Sequence, residues 1–199
     1  MRGKSPCAHK KRMKPGFAGC GFEPLMFIKK GLIMDSDLAC KRKEPYMNEI
    51  RIPPQNDVEL NAALINNIDS DPTRFVAMLA PQIVTASYAE REVHIKYSIA
   101  QWMLNSMDIL HGGILSSMLD TSMGVFTRAF TASSAVTLNL QLSYSASIMP
   151  DSQWVHTVCK MTSMTNRFTH VSATAWAEEG KVAATSTGVF YLIKQVYPR

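Results

Sequence analysis

Residues His111–Tyr144 read HGGILSSMLDTSMGVFTRAFTASSAVTLNLQLSY, and the period of their apolar residues changes once. From Ile114 to Phe130 nearly every residue is apolar or small, with Asp120 and Arg128 the only charges. A run of that length that is apolar almost all round reads as a helix buried in a core. Beyond it the pattern alternates. Val136, Leu138, Leu140, Leu142 and Tyr144 fall to one side, and Thr137, Asn139, Gln141 and Ser143 to the other. That is the signature of a strand.

Working outward, Pro150-Asp151-Ser152 makes a turn. Trp154–Met164, Phe168–Ala177 and Lys181–Ile193 read as three more strands, the last two joined by Glu178-Glu179-Gly180. Upstream, Ile83 and Thr85, then Val93, Ile95, Tyr97 and Ile99 alternating with His94, Lys96 and Ser98, form a strand pair that turns near Ala89-Glu90. Before the pair, Leu60, Leu64 and Ile68 recur every four residues as a short amphipathic helix. Asp71-Pro72 reads as a helix cap followed by proline at the first helical position, with Phe75, Met78 and Leu79 on the apolar side and Pro81 as the stop. The order predicts an α+β fold, a curled and mainly antiparallel sheet of five to six strands wrapped round one long helix. The expected division is a basic, disordered or non-native segment at 1–55, a helical preface at 56–80, and one domain at 81–195.

Composition agrees with one globular domain. Of 199 residues, 46% are hydrophobic and 19% charged. No run of 18 uncharged apolar residues exists, which argues against a membrane-spanning helix. Leu25–Met34 is cut by Lys29-Lys30 and lacks a small-residue cleavage site, which argues against a secretory signal. The formal net charge of +5 is uneven: residues 1–55 carry 12 Lys and Arg against 5 Asp and Glu, while the rest carry 9 against 11. The tail has few aromatics between its basic clusters to stack on bases, which weighs against nucleic acid as a partner. Of the four cysteines, Cys7, Cys20 and Cys40 lie early and Cys159 stands in a strand, with no CxxC pair. A reducing, cytoplasmic setting without disulfides or a zinc site is expected.

The chemistry concentrates in Asn105–Asp120, NSMDILHGGILSSMLD. Gly112 and Gly113 open the long helix, so backbone N–H groups at its positive end are unobstructed and can polarise a carbonyl. His111 stands at that terminus and Asn105 just upstream. Asp120 is a carboxylate in an apolar helix, where burial demands a partner. Asp120 follows His111 by nine residues, which places the two on roughly opposite sides of the helix and about 13.5 Å apart along its axis. They cannot meet on one helix. If both act, two helices must come together, and an antiparallel two-fold pairing brings one chain's His111 towards the other's Asp120. Alone, each residue also has a structural reading: a tight turn, a hydrogen-bonded surface histidine (as for His9, His94, His156 and His170), or a buried polar residue that specifies a dimer.

Taken together, Asn105-x5-His111-Gly112-Gly113 with Asp120 beyond it, and Val136–Tyr144 as a strand carrying an early Thr and a late Tyr, resemble the PaaI-like acyl-CoA thioesterases of the hotdog superfamily. The resemblance covers roughly residues 80–193. It implies hydrolysis of a medium- or long-chain or aryl acyl-CoA to the free acid and coenzyme A, by a homodimer or a pair of dimers. By carry-over, Gly112 N–H polarises the thioester carbonyl, and Asp120 of the facing subunit activates water or attacks directly. Thr137 from that same subunit holds the water, and Asn105 and His111 position the thioester. No metal or separate cofactor is implied, because a polarised thioester already reacts with a carboxylate-activated water. Two departures stand out. Asp108 replaces a glycine the family commonly has, and Asn166-Arg167 replaces a glycine followed by a basic residue, leaving Arg167 as a weaker candidate for a coenzyme A phosphate contact. Asp108 keeps open a non-catalytic acyl-CoA binding or sensing protein on the same scaffold.

Overall fold

The computed structural model describes residues 52–69, 71–177 and 180–193. Expectations for residues 1–51, including His9, Cys7, Cys20 and Cys40, and for the Glu178-Glu179 turn lie outside those residues.

Helix α1 (Asp57–Asn67) starts where Asn56 caps it: the Asn56 Oδ1 accepts from Glu59 N–H at 2.9 Å, and Glu59 accepts from Gln55 N–H at 2.9 Å in return. Leu60 and Leu64 are fully buried, and the helix packs on the long central helix. Helix α2 departs from expectation. It spans only Phe75–Leu79, because Asp71 does not cap a helix. Its Oδ1 instead accepts from Thr73 N–H at 3.0 Å and Thr73 Oγ1 at 2.7 Å, closing a local turn, while Arg74 stays extended. Leu79 is buried, but Phe75 and Met78 are 44% and 50% exposed rather than turned into the core. Ala80, in left-handed geometry at φ 48°, ends the helix before Pro81.

Six strands form one antiparallel sheet: β1 (Gln82–Ser87), β2 (Glu92–Ser98), β3 (Ser134–Tyr144), β4 (Trp154–Met164), β5 (Phe168–Ala177) and β6 (Val182–Ile193). Their order across the sheet is β1-β2-β4-β5-β6-β3, so β1 and β3 are the edges. Helix α3 (Gly112–Thr131) lies against the concave face formed by Val93, Ile95, Tyr97, Val155, Cys159, Val171 and Phe190. The close approach of helix and sheet needs Gly188 in β6. A Cβ there would sit 2.8 Å from the Phe190 ring and 3.2 Å from Met123. A buried hydroxyl chain also ties helix to sheet: Tyr97 Oη donates to Met118 O at 3.1 Å and meets Ser122 Oγ at 2.7 Å, which meets Thr157 Oγ1 at 2.8 Å. Every member is satisfied, so hydrogen bonds offset the lost hydration of these polar atoms while they fix the helix position.

Two expectations are corrected along the stretch that decides the fold. The buried-all-round reading of α3 holds for Ser122–Thr127, where all six residues are buried. Its first half is two-faced, with Ser116, Ser117, Asp120 and Thr121 only partly covered. Strand β3 does not keep one alternation. Thr137 pairs with Phe190 and Asn139 with the next residue back, Val189, so Leu138 is an extra residue in a bulge. Ala135 and Thr137 face the helix before the bulge, and Leu140, Leu142 and Tyr144 after it. Val136 and Leu138 point away and are 47% and 58% exposed.

Cys159 is a free, buried thiol, raised well above its ordinary range by burial and secondarily by Glu92. Among the described residues, no helix is long and apolar enough to cross a membrane.

Candidate active site

The loop before α3 is a closed turn built on Asn105. Its Oδ1 accepts from Met107 N–H at 2.9 Å and from Ile109 N–H at 3.4 Å, and its own N–H donates to Ile109 O at 2.9 Å. Those bonds assign the amide orientation and leave the Nδ2 donors without a partner among the described residues. Asp108 occupies the turn at φ 54°, the left-handed region that favours glycine. Aspartate is among the few side chains that enter this region readily, so the glycine-like turn survives the substitution. The carboxylate itself is exposed.

His111 caps α3, its Nδ1 accepting from Gly113 N–H at 2.9 Å. In the neutral ring this puts the proton on Nε2, at the outer edge of the imidazole. The two glycines have separate reasons. A Cβ on Gly113 would lie 3.0 Å from His111 Nδ1, and one on Gly112 would lie 3.3 Å from Tyr144 Oη. Tyr144 reaches back from the end of β3 and donates to Gly112 O at 2.6 Å. The Gly112 N–H, a first-turn donor, has no acceptor among the described residues. Asn105, Gly112, Leu115, Tyr144 and Ile148 line a cavity of about 350 Å³ at this helix end.

Asp120 lies two and a half turns further along. Its Oδ1 accepts from Thr137 Oγ1 at 2.9 Å, and no other partner is found for the carboxylate among the described residues. Asp120 is only partly covered rather than buried. Helix α3 contributes Ser116, Ser117 and Thr121 to a second cavity of about 410 Å³ around it, and β3 contributes Thr137 and Leu140. Phe75 and Val76 of α2 complete that lining. The two cavities share no residue. The chain thus brings Asn105 to Gly112 and Asp120 to Thr137, but leaves the two pairs apart. Arg167 lies in the exposed turn between β4 and β5, its carbonyl accepting from Leu192 N–H at 2.8 Å, and it lines neither cavity.

Sequence patterning missed Tyr144 as a helix-entrance residue and Phe75 and Val76 as cavity walls. The only local signal for Tyr144 was an aromatic at a strand end. Away from the cavities, His94 and His156 share a hydrogen bond at 2.9 Å on the outer sheet face, and both rings pack on Trp176. Burial, then His156 and Lys96, lower the pKa of His94 below 6.5.

Comparison with known proteins bears on the fold. The thioesterase superfamily matches residues 107–184, from the Asn105 loop through the start of β6. The PaaI protein of the Escherichia coli phenylacetic acid degradation operon superposes with a TM-score of 0.59 at 15% identity, covering 70% of this chain and 97% of that one. This is a PaaI-like hotdog fold. Two further hotdog structures extend the match. A Haemophilus influenzae thioesterase has a TM-score of 0.60 at 15% identity, covering 67% of this chain and 92% of that one. A Streptococcus pneumoniae hypothetical thioesterase, solved with coenzyme A, has a TM-score of 0.52 at 17% identity, covering 59% and 91%. No curated protein matches the hotdog chain in sequence.

Proposed function

We propose that the chain is an acyl-CoA thioesterase whose site is completed by a second copy. The observation that carries the proposal is the Asp120 carboxylate, held by Thr137 at 2.9 Å in a cavity that shares no residue with the one at the helix start. The unpartnered Gly112 N–H and Asn105 amide stand in the other cavity. Among the described residues β3 is a long edge of the sheet, with Val136 and Leu138 exposed on it. Two-fold pairing of such edges lays one helix antiparallel to the other and brings each donor cavity to the partner's carboxylate.

In the assembled site, Gly112 N–H and the Asn105 amide bind the thioester carbonyl oxygen and take up its developing negative charge. Asp120 from the other copy removes a proton from water, and the hydroxide attacks the carbonyl carbon. The tetrahedral intermediate expels the thiolate of coenzyme A, which receives the proton from Asp120. His111, with its Nε2–H outward, positions the thioester. Thr137 donates a hydrogen bond from its hydroxyl to Asp120, so its oxygen remains an acceptor able to hold that water. Coenzyme A is part of the substrate, and no separate cofactor or metal takes part. The buried free Cys159 suits a reducing, cytoplasmic compartment.

Thiol release from acyl-CoAs of short, medium, long and aryl chains tests the proposal, with Asp120→Asn beside the native chain. Turnover in the native chain and its loss by at least about a hundredfold in the variant is the expected result. Coenzyme A binding without turnover on any chain transfers the assignment to an acyl-CoA binding protein.

A further inference from the structure

Helix α2 buries a single residue. Leu79 is fully covered, while Phe75 is 44% exposed and Met78 50% exposed. A five-residue helix gains little stability from itself, so its placement comes from the polar turn before it. There Arg74 bridges Asp69 at 3.0 Å and Asp71 at 3.6 Å, and Asp69 Oδ1 accepts from Asp71 N–H at 3.0 Å. This clamp, with the Leu79 anchor and the left-handed Ala80, holds the start of α2 over the first half of α3. Phe75 and Val76 thereby face Ser116, Ser117 and Asp120 across the same cavity.

Resting on the thioesterase reading above, we infer that α2 is a wall of the acyl chamber and that Phe75 sets which acyl groups reach Asp120. The lining identifies the class of acyl group. Phe75, Val76 and Leu140 are apolar, and Ser116, Ser117, Thr121 and Thr137 are neutral hydroxyls. Among the described residues no cation lines the cavity, and Arg74, the basic residue nearest in sequence to Phe75, is engaged with two carboxylates. An acyl group ending in a carboxylate would meet Asp120 with nothing to neutralise it. The chamber takes an uncharged acyl group, and the Phe75 ring limits its length.

The test uses coenzyme A thioethers, which bind without being hydrolysed, with the full chain and two variants. Calorimetry follows S-ethyl-, S-hexyl- and S-decyl-CoA binding to the native chain, Phe75→Ala and Phe75→Trp. Each methylene that finds apolar contact should raise affinity about fourfold, up to the length where the ring stops it. Phe75→Ala should extend that length and gain about tenfold or more on the S-decyl compound, with the S-ethyl compound unchanged, and Phe75→Trp should shorten it. An S-carboxyalkyl-CoA should bind at least about tenfold worse than the alkyl compound of equal length. Parallel length profiles for all three proteins overturn the role of Phe75, and equal binding of the carboxyalkyl compound overturns the uncharged class. Thioethers ranked by Phe75 without thiol release from any acyl-CoA would leave the chamber standing and remove the thioesterase reading. No binding of any thioether to any of the proteins removes both.

Discussion

Thr137 donates its hydroxyl to Asp120 across 2.9 Å, joining an edge strand to a helix residue 17 positions earlier. The bond uses the O–H of Thr137 and one oxygen of Asp120, which leaves the second carboxylate oxygen without a hydrogen bond among the described residues.

On the proposed function, Asp120 activates water rather than attacking directly. In a single turnover in ¹⁸O-water, the label should appear in the released acid. Label retained in the protein on the Asp120 carboxylate would assign it as a nucleophile. Thr137→Ala should lower turnover about 10- to 100-fold, the range for a hydrogen bond to a charged group.

Gly112→Ala sets a methyl 3.3 Å from Tyr144 Oη, and the ring must yield. We expect a loss of about 1 kcal/mol or more in denaturant unfolding, as for other overpacked sites. Since the two positions share one contact, adding Gly112→Ala to Tyr144→Ala should cost much less than adding it to the native chain. Simple additivity would show that the contact does not form.

Mixed dimers test the shared site. Equal amounts of His111→Ala and Asp120→Asn chains, each nearly inactive alone, should recover about a quarter of native turnover after exchange, because half the dimers hold one intact site of two. No recovery in verified mixed dimers places each site within one chain.

The outer-face histidine pair gives a pH dependence. The pKa of His94 is lowered in the folded chain, first by burial and then by His156 and Lys96. The unfolded chain therefore takes up a proton at higher pH than the folded one. Stability is full above about 6.5 and falls as pH drops from there towards the lower folded value. Melting temperatures from pH 7.5 to 5 should show a smaller decline for His94→Gln than for the native chain. Equal slopes would locate the acid sensitivity elsewhere.

On sequence grounds alone Asp108 is the departure that suggests lost activity, yet its backbone keeps the family's turn geometry. At φ 54° it keeps the turn that a glycine would make. Asp108→Gly should leave turnover within about twofold and stability within about 1 kcal/mol. Asp108→Val, with a branched carbon in the left-handed region, should destabilise by about 1–2 kcal/mol and weaken substrate binding through Asn105. Equal behaviour of the two variants would show that backbone geometry is not what the position supplies.

Much of the fold is legible in the sequence. Trp154–Met164 and Phe168–Ala177 were expected with the bounds they have, because alternation and turn residues coincide there. The nine-residue offset of His111 and Asp120 was enough to foresee that one chain keeps them apart. What stayed hidden depends on distant partners. Asp71-Pro72 has the composition of a helix start, yet the Asp71 side chain is taken by Thr73, and nothing local distinguishes the two. The place of Phe75 beside Asp120 arises only when α2, α3 and β3 converge. The bulge at Leu138 has no marker in an unbroken run of alternating residues.

That bulge acts as a phase slip of half a period. Upstream of it, β3 is in phase with the carboxylate it holds; downstream, it is in phase with the apolar core and the helix entrance. A strand with a single phase could serve one of those two ends but not both. Deleting one residue there would leave every side chain's chemistry intact and turn Thr137 outward, or the downstream core residues outward. The length of this strand, counted in single residues, therefore helps assemble the proposed site.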